Sequence, residues 1–245
     1  MKKSIFILLI LIVIGCSKDA QNSSTNSSGD GKGGSLAIFA LKGSYLYSVD
    51  NARLNVFSLI NPNEPSKVSY VDVGFNIETL FSNDQYLFIG SQNGMFIYSI
   101  ENPENPVKLS SVQHFTACDP VVANATHSFV TLHSVSNRCG NNVNVLEIYN
   151  TSNPTNPMLV HRRNLTSPKG LGLYSNYLIV CDNDVKIFNI QNPNEPVLVK
   201  SINKACFDVI INGNDLFLIG ENALSRYLLS TTNITNVTFQ SEIAF

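Results

Sequence analysis

The sequence predicts an all-β chain in which an N-terminal signal and flexible linker precede a single five-bladed β-propeller with four-stranded antiparallel blades. Three observations carry this. The phrase Asn-Pro-x-x-Pro begins at Asn61, Asn102, Asn153 and Asn192, recurring every 39 to 51 residues after an apolar run. Such a period marks propeller blades or solenoid turns. Second, Val, Ile, Leu, Phe and Tyr dominate the apolar positions with no sustained 3.6-residue period, which is a strand signature. Third, tight-turn clusters such as Lys42-Gly43-Ser44, Asn83-Asp84, Ser175-Asn176 and Asn212-Gly213-Asn214 each separate two short apolar runs, as in hairpins.

Within each unit the strands are legible in order. Segments 37–41, 77–81, 120–123, 171–174 and 207–211 supply the innermost strand. The second strand follows the hairpin at 45–49, 86–89, 129–132, 177–181 and 215–219. The third strand is defined by aligning on the first proline of each phrase. Leu54, Met95, Leu146 and Val185 stand eight residues before it, and Val56, Ile97, Ile148 and Ile187 six before, on one side of the pleat. Phe57, Tyr98, Tyr149 and Phe188 stand five before it and face the other side, so both faces are covered. Proline fixes φ and lacks an N–H, so Asn-Pro-x-x-Pro ends the ladder and turns the chain into an outer strand. The fifth unit has Thr and Asn where the prolines should be and reads as a degenerate terminal repeat. Radial packing covers four-stranded sheets without leaving long free edges, and solenoid coils would be shorter and lack the internal hairpins. Two ways of closing the ring remain: 35–41 is the inner strand of the first blade, or the N-terminal stretch completes the last.

The N-terminus supplies an address. Lys2 and Lys3 precede an apolar run at 5–14, which at helical rise covers roughly half of a 30 Å hydrocarbon core and suits a signal peptide. The ending Val13-Ile14-Gly15-Cys16 resembles the bacterial lipoprotein box. The resemblance implies cleavage before Cys16, which becomes a thioether-diacylated, N-acylated N-terminus tethered to a membrane. Residues 1–16 are therefore signal peptide and lipobox. Residues 17–35, rich in Asn, Ser and Gly, form a flexible tether, and 36–245 form the propeller. Ser17-Lys18-Asp19 looks like the export signal of some Bacteroidetes surface lipoproteins, so the expected location is the outer membrane, at the cell surface or facing the periplasm.

Cleavage removes Lys2 and Lys3 from 16 basic residues, leaving 14 against 18 acidic ones, a net charge of −4. With no basic cluster beyond Arg162-Arg163, nucleic acid is not an expected partner. The loops that join one unit to the next, and those between second and third strands, open on one face and carry the irregular chemistry. The third unit has an insertion there, 134–142. Candidate ligand-face residues are Asp119, Asn137, Arg138, Lys169, Asp182 and Asp208. Apart from Cys16, four cysteines allow three pairings. Shared position on that face favours Cys118 with Cys139 and Cys181 with Cys206 in an oxidising compartment. They include no C-x-x-C pair, so no zinc site is expected, and no cofactor either.

The wording Tyr45-Leu46-Tyr47-Ser48-Val49-Asp50, then Leu54-Asn55-Val56-Phe57-Ser58-Leu59, then Asn61-Pro62-Asn63-Glu64-Pro65 resembles the LVIVD-repeat family over 36–230. The resemblance implies exported propellers, often lipoproteins, without a generally assigned activity. The family's Asp before proline is Asn61 or Asn192 here, which can cap the same turn. No catalytic residue is assigned: His114, His127, His133 and His161 are scattered, and G-x-S-x-G, H-E-x-x-H and phosphate-loop motifs are missing. The expected function is a membrane-anchored extracytoplasmic scaffold that binds protein or glycan. The alternative is a propeller-type hydrolase or lyase using carboxylates such as Asp119 and Asp208 at the axial channel.

Overall fold

The computed structural model describes residues 33–113, 120–134 and 143–245. Five four-stranded antiparallel sheets stand as blades about a common axis, each built from one contiguous stretch of chain in the order inner to outer strand. Blade one is β1 (Phe39–Lys42), β2 (Tyr45–Val49), β3 (Arg53–Ser58) and β4 (Ser66–Asp72). Blade two is β5 (Ile77–Asn83), β6 (Tyr86–Ser91), β7 (Gly94–Ser99) and β8 (Val107–Gln113). Blade three is β9 (Val121–Ala123), β10 (His127–His133), β11 (Asn144–Asn150) and β12 (Met158–Asn164). Blade four is β13 (Leu171–Tyr174), β14 (Tyr177–Cys181), β15 (Val185–Asn189) and β16 (Val197–Ile202). Blade five is β17 (Asp208–Asn212), β18 (Asp215–Ile219), β19 (Ala223–Leu228) and β20 (Thr238–Ala244). Of the two ways of closing the ring, the first is found: β1 is the inner strand of its own blade, and among the described residues neither end contributes a strand to a blade at the other.

The hairpin turns between first and second strands take the backbone the sequence asked for. Gly43, Asp84, Ser175 and Gly213 occupy it with φ between 51° and 59°. In all five blades the register between third and fourth strands shifts at one place: Val56/Phe57, Ile97/Tyr98, Ile148/Tyr149, Ile187/Phe188 and Arg226/Tyr227. Such a bulge increases strand twist, and here it falls between the residue facing one neighbour and the residue facing the other.

Each Asn-Pro turn is closed by its asparagine twice. The backbone carbonyls of Asn61, Asn102, Asn153 and Asn192 accept from the N–H three residues on, at 3.0–3.1 Å. Their side-chain Oδ1 atoms accept from the N–H two residues on, at 3.1–3.3 Å. The fifth blade keeps this turn without proline: Asn233 accepts from Asn236 N–H at 2.9 Å and, through Oδ1, from Thr235 N–H at 3.0 Å.

Four apolar clusters seal successive blades. Tyr47, Leu54 and Val56 meet Leu87, Ile89 and Tyr98 between blades one and two. Phe88 and Ile97 meet Val130 and Tyr149 between two and three, and Phe129 and Ile148 meet Leu178 and Phe188 between three and four. Ile179 and Ile187 meet Leu216 and Leu218 between four and five. On the proline-turn face the joints are also riveted. An outer-strand side chain donates to a carbonyl in the next blade's turn: Ser69 Oγ to Glu104, Ser110 Oγ to Pro154 at 2.6 Å, and His161 Nδ1 to Asn194 at 3.0 Å.

Candidate functional site

Loops between blades, together with those joining second to third strands, open on the face opposite the rivets. Where blades four and five meet there, a cavity of about 350 Å³ is lined by Lys169, the segment 203–207 and the segment 220–223. Lys169 lies in the loop before β13, held by its N–H donating to Cys181 O at 2.8 Å. Its ammonium has no ion-pair partner among the described residues, whereas Lys204 on the rim pairs with Glu242. Asn203, Glu221 and Asn222 add amide and carboxylate groups to the wall. One cation, one carboxylate and two amides around a concave space can hydrogen-bond a polar ligand from several sides.

The floor is braced covalently. Cys181, at the end of β14, is bonded to Cys206 in the loop before β17, with Cα atoms 5.6 Å apart, which is the second expected pairing. Both sulfurs lie in the cluster between blades four and five.

Asp182 and Asp208 flank this floor and are both buried. Asp182 accepts from Thr166 N–H at 3.1 Å and from Ser167 N–H, shaping the loop that carries Lys169, and Lys186 lies 3.3 Å from its second oxygen. Asp208 sits at the axis and clasps the start of the propeller. Its carboxylate accepts from Ser35 Oγ at 3.0 Å and Val209 N–H at 2.9 Å, and also from the backbone N–H groups of Ser35 and Leu36. Ser35 Oγ in turn accepts from Leu171 N–H at 2.8 Å, so the chain just before β1 is fastened to blades four and five at once. Glycine is required on both sides of this carboxylate: a Cβ at Gly34 or at Gly170 would lie 2.3 Å from an Asp208 oxygen. The last two tether residues, Gly34 and Ser35, are thus packed into the propeller.

Burial raises the Asp208 pKa above the usual carboxylate range, although its four donors pull the other way. A raised folded-state value means that the folded protein holds the proton more tightly than the unfolded chain, where the group titrates near 3.8. Its contribution to stability is therefore full below that value and is lost as pH rises through the folded pKa. Asp208→Asn removes the titration, so melting temperature relative to wild type should climb between pH 4 and 7. A constant difference across that range would show that Asp208 does not titrate there.

Of the sequence-predicted ligand-face residues, Lys169 lines the cavity, while Asp182 and Asp208 support its floor. Asp119, Asn137, Arg138, Cys118, Cys139 and Cys16 lie outside the described residues. Asn203, Glu221 and Asn222 were not singled out in sequence; their one available signal was position in the same class of loop. Among the described residues no group of three His, Cys, Asp or Glu side chains converges as a metal site.

No family model matches the chain, and no curated protein matches it. Solved structures do. A functionally unknown protein from Desulfotomaculum acetoxidans is similar at TM-score 0.66 and 12% identity, covering 82% of this chain and 66% of that one. The periplasmic gluconolactonase of Pseudomonas aeruginosa is similar at TM-score 0.64 and 12% identity, covering 82% and 68%. A Lactobacillus plantarum protein is similar at TM-score 0.65 and 9% identity, covering 81% and 67%. This chain thus spans about two thirds of the length of the structures it matches. Identity at this level carries the propeller fold and nothing finer.

Proposed function

We propose that this chain is a lipid-anchored extracytoplasmic β-propeller of the LVIVD-repeat kind that binds a protein or glycan ligand through its loop face. The cavity around Lys169 carries the reading: this cation, without an ionic partner among the described residues, points to a ligand with a carboxylate or a dense array of hydroxyls. Asp208, shut from solvent and engaged by four donors, supports binding rather than acid–base chemistry at the axis. Anchoring rests on the lipobox ending at Cys16. Among the described residues no helix is long and apolar enough to cross a membrane.

Wild-type protein, Lys169→Ala and Asn222→Ala should be compared on an array of oligosaccharides and against solubilised surface proteins. Loss of a charge-assisted hydrogen bond should weaken binding about tenfold or more. Undiminished binding by both variants would remove this cavity from the reading. In the same cells, Cys16→Ala should abolish palmitate incorporation and release the protein from membranes. Retention there would remove the lipid anchor.

A further inference from the structure

On the loop face, three departures from the repeated plan fall together where the chain crosses from β4 of blade one to β5 of blade two. Phe75 is the most exposed large apolar side chain among the described residues, at 77%. Asn76 follows with φ 57°, in the left-handed region that a residue with a Cβ enters at a cost. The other described non-glycine residues with positive φ, Asp84 and Ser175, sit in hairpin turns between first and second strands. The register between β5 and β6 then shifts between Ile77 and Thr79, which makes Glu78 the extra residue of a bulge. The inner pairs of the other four blades run in unbroken register. Bulges beside functional sites re-aim side chains. The segment is nonetheless firmly held. The N–H groups of Val73 and Gly74 both donate to Ala52 O, at 2.9 and 3.3 Å, and Ile77 N–H donates to Asn51 O at 3.2 Å. Asn76 O accepts from Gln92 N–H at 3.0 Å, so the turns between second and third strands of blades one and two grip the crossing from both sides. Val73 and Ile77 are buried, and Phe75 is left as a ring on a fixed mount.

We propose that Phe75 is the stacking platform of a binding site for an uncharged sugar, whose C–H face lies on the ring while the neighbouring amides meet its hydroxyls. The occupant follows from what the three gripping segments, 50–53, 73–78 and 91–94, bring to the surface. They carry four amide side chains, at Asn51, Asn76, Gln92 and Asn93, and the carboxylate of Glu78, which accepts from Gln92 Nε2 at 2.8 Å. An amide donates and accepts at once, as a sugar hydroxyl does, so the two chemistries match. Charge is already spoken for. The one cation in these segments, Arg53, pairs with Asp72 at 2.9 Å, and Asp50 accepts from the N–H groups of Ala52 and Arg53. No cation is left there to select an anionic ligand. A protein partner would need an apolar core within a patch of about 800 Å². Phe75 is the only exposed large apolar side chain in these segments, enough for one sugar ring and too little for such a core. A ring on a fixed backbone gives up little freedom on binding, which suits a shallow site. The site lies at the joint between blades one and two and does not rest on the reading of the Lys169 cavity, at the joint between blades four and five.

The test titrates the full chain, in a polyoxyethylene detergent whose head group is not a sugar, against insoluble cellulose, chitin, starch and mannan, with polygalacturonate as the anionic counterpart. Wild type should be retained by at least one of the uncharged polymers, and Phe75→Ala should weaken that retention about tenfold or more. The melting temperature of Phe75→Ala should equal that of wild type, because the ring is exposed, so lost retention is not lost fold. Asn76→Gly keeps the left-handed backbone and removes one amide, and should weaken retention by a smaller factor. Lys169→Ala should be retained by the uncharged polymer as wild type is, which separates this site from the cavity. Wild type held by none of the uncharged polymers, or held by polygalacturonate alone, would overturn the proposal. So would retention of Phe75→Ala equal to wild type, or a loss in Lys169→Ala as large as that in Phe75→Ala.

Discussion

Cys181→Ser should cost about 3.5 kcal/mol of stability and release blade five before the others. The bond spans 25 residues, and closing a loop of that size restricts the unfolded chain by about that amount. Position adds to the effect, because among the described residues blade five shares a buried apolar cluster with blade four alone, and the cystine ties the loop before its first strand to blade four. Hydrogen exchange should therefore show β17–β20 losing protection first, in the variant or in reduced wild type, while β5–β16 keep theirs. Uniform loss across all five blades would mean that the bond stabilises the fold as a whole.

Gly170→Ala should destabilise the protein by about 3 kcal/mol, at the upper end for one added methyl group. The new Cβ would stand 2.3 Å from Asp208 Oδ1, 2.7 Å from Asp208 Cα and 2.8 Å from the Phe207 carbonyl. Two of these contacts are backbone, so no side-chain rotation relieves them. Gly170 N–H also donates to Phe207 O at 2.9 Å, fixing the approach of blade four to blade five. Gly34→Ala meets only the Asp208 carboxyl group, which a side chain can partly move, and should cost less. Thermal denaturation of the two variants checks the order, and equal losses would mean that the Asp208 side chain is as immovable as the chain behind it.

The blades were legible because their signals are local and repeated. A strand whose residues face alternate neighbours, a hairpin needing a left-handed residue and a proline stop each fit within ten residues. Copies at Val56, Ile97, Ile148 and Ile187 reinforce one another. The fifth turn is harder to read because it lacks the prolines that mark the others, whereas Asn233 makes the same two hydrogen bonds without them. Asparagine closes the turn, and proline only stiffens it.

The axial clasp was not legible at all. Ser35 belongs by composition to a Gly/Ser tether, and nothing local reveals a partner 173 residues away. Asp208 looked like a candidate for the ligand face because a carboxylate near an axis reads the same from sequence whether it faces water or a serine. The cavity was half legible: Lys169 stood out as a loop cation, but its neighbours come from two other loops that only the fold brings together.

The rivets divide the molecule's tolerance for change. Ser69, Ser110 and His161 grip main-chain carbonyls of the next turn, so the residues that turn displays can vary while the grip persists. Lineages carrying this chain should therefore keep the donors and let the loops across the wheel diverge. One rigid chassis could then be refitted for new ligands without being rebuilt.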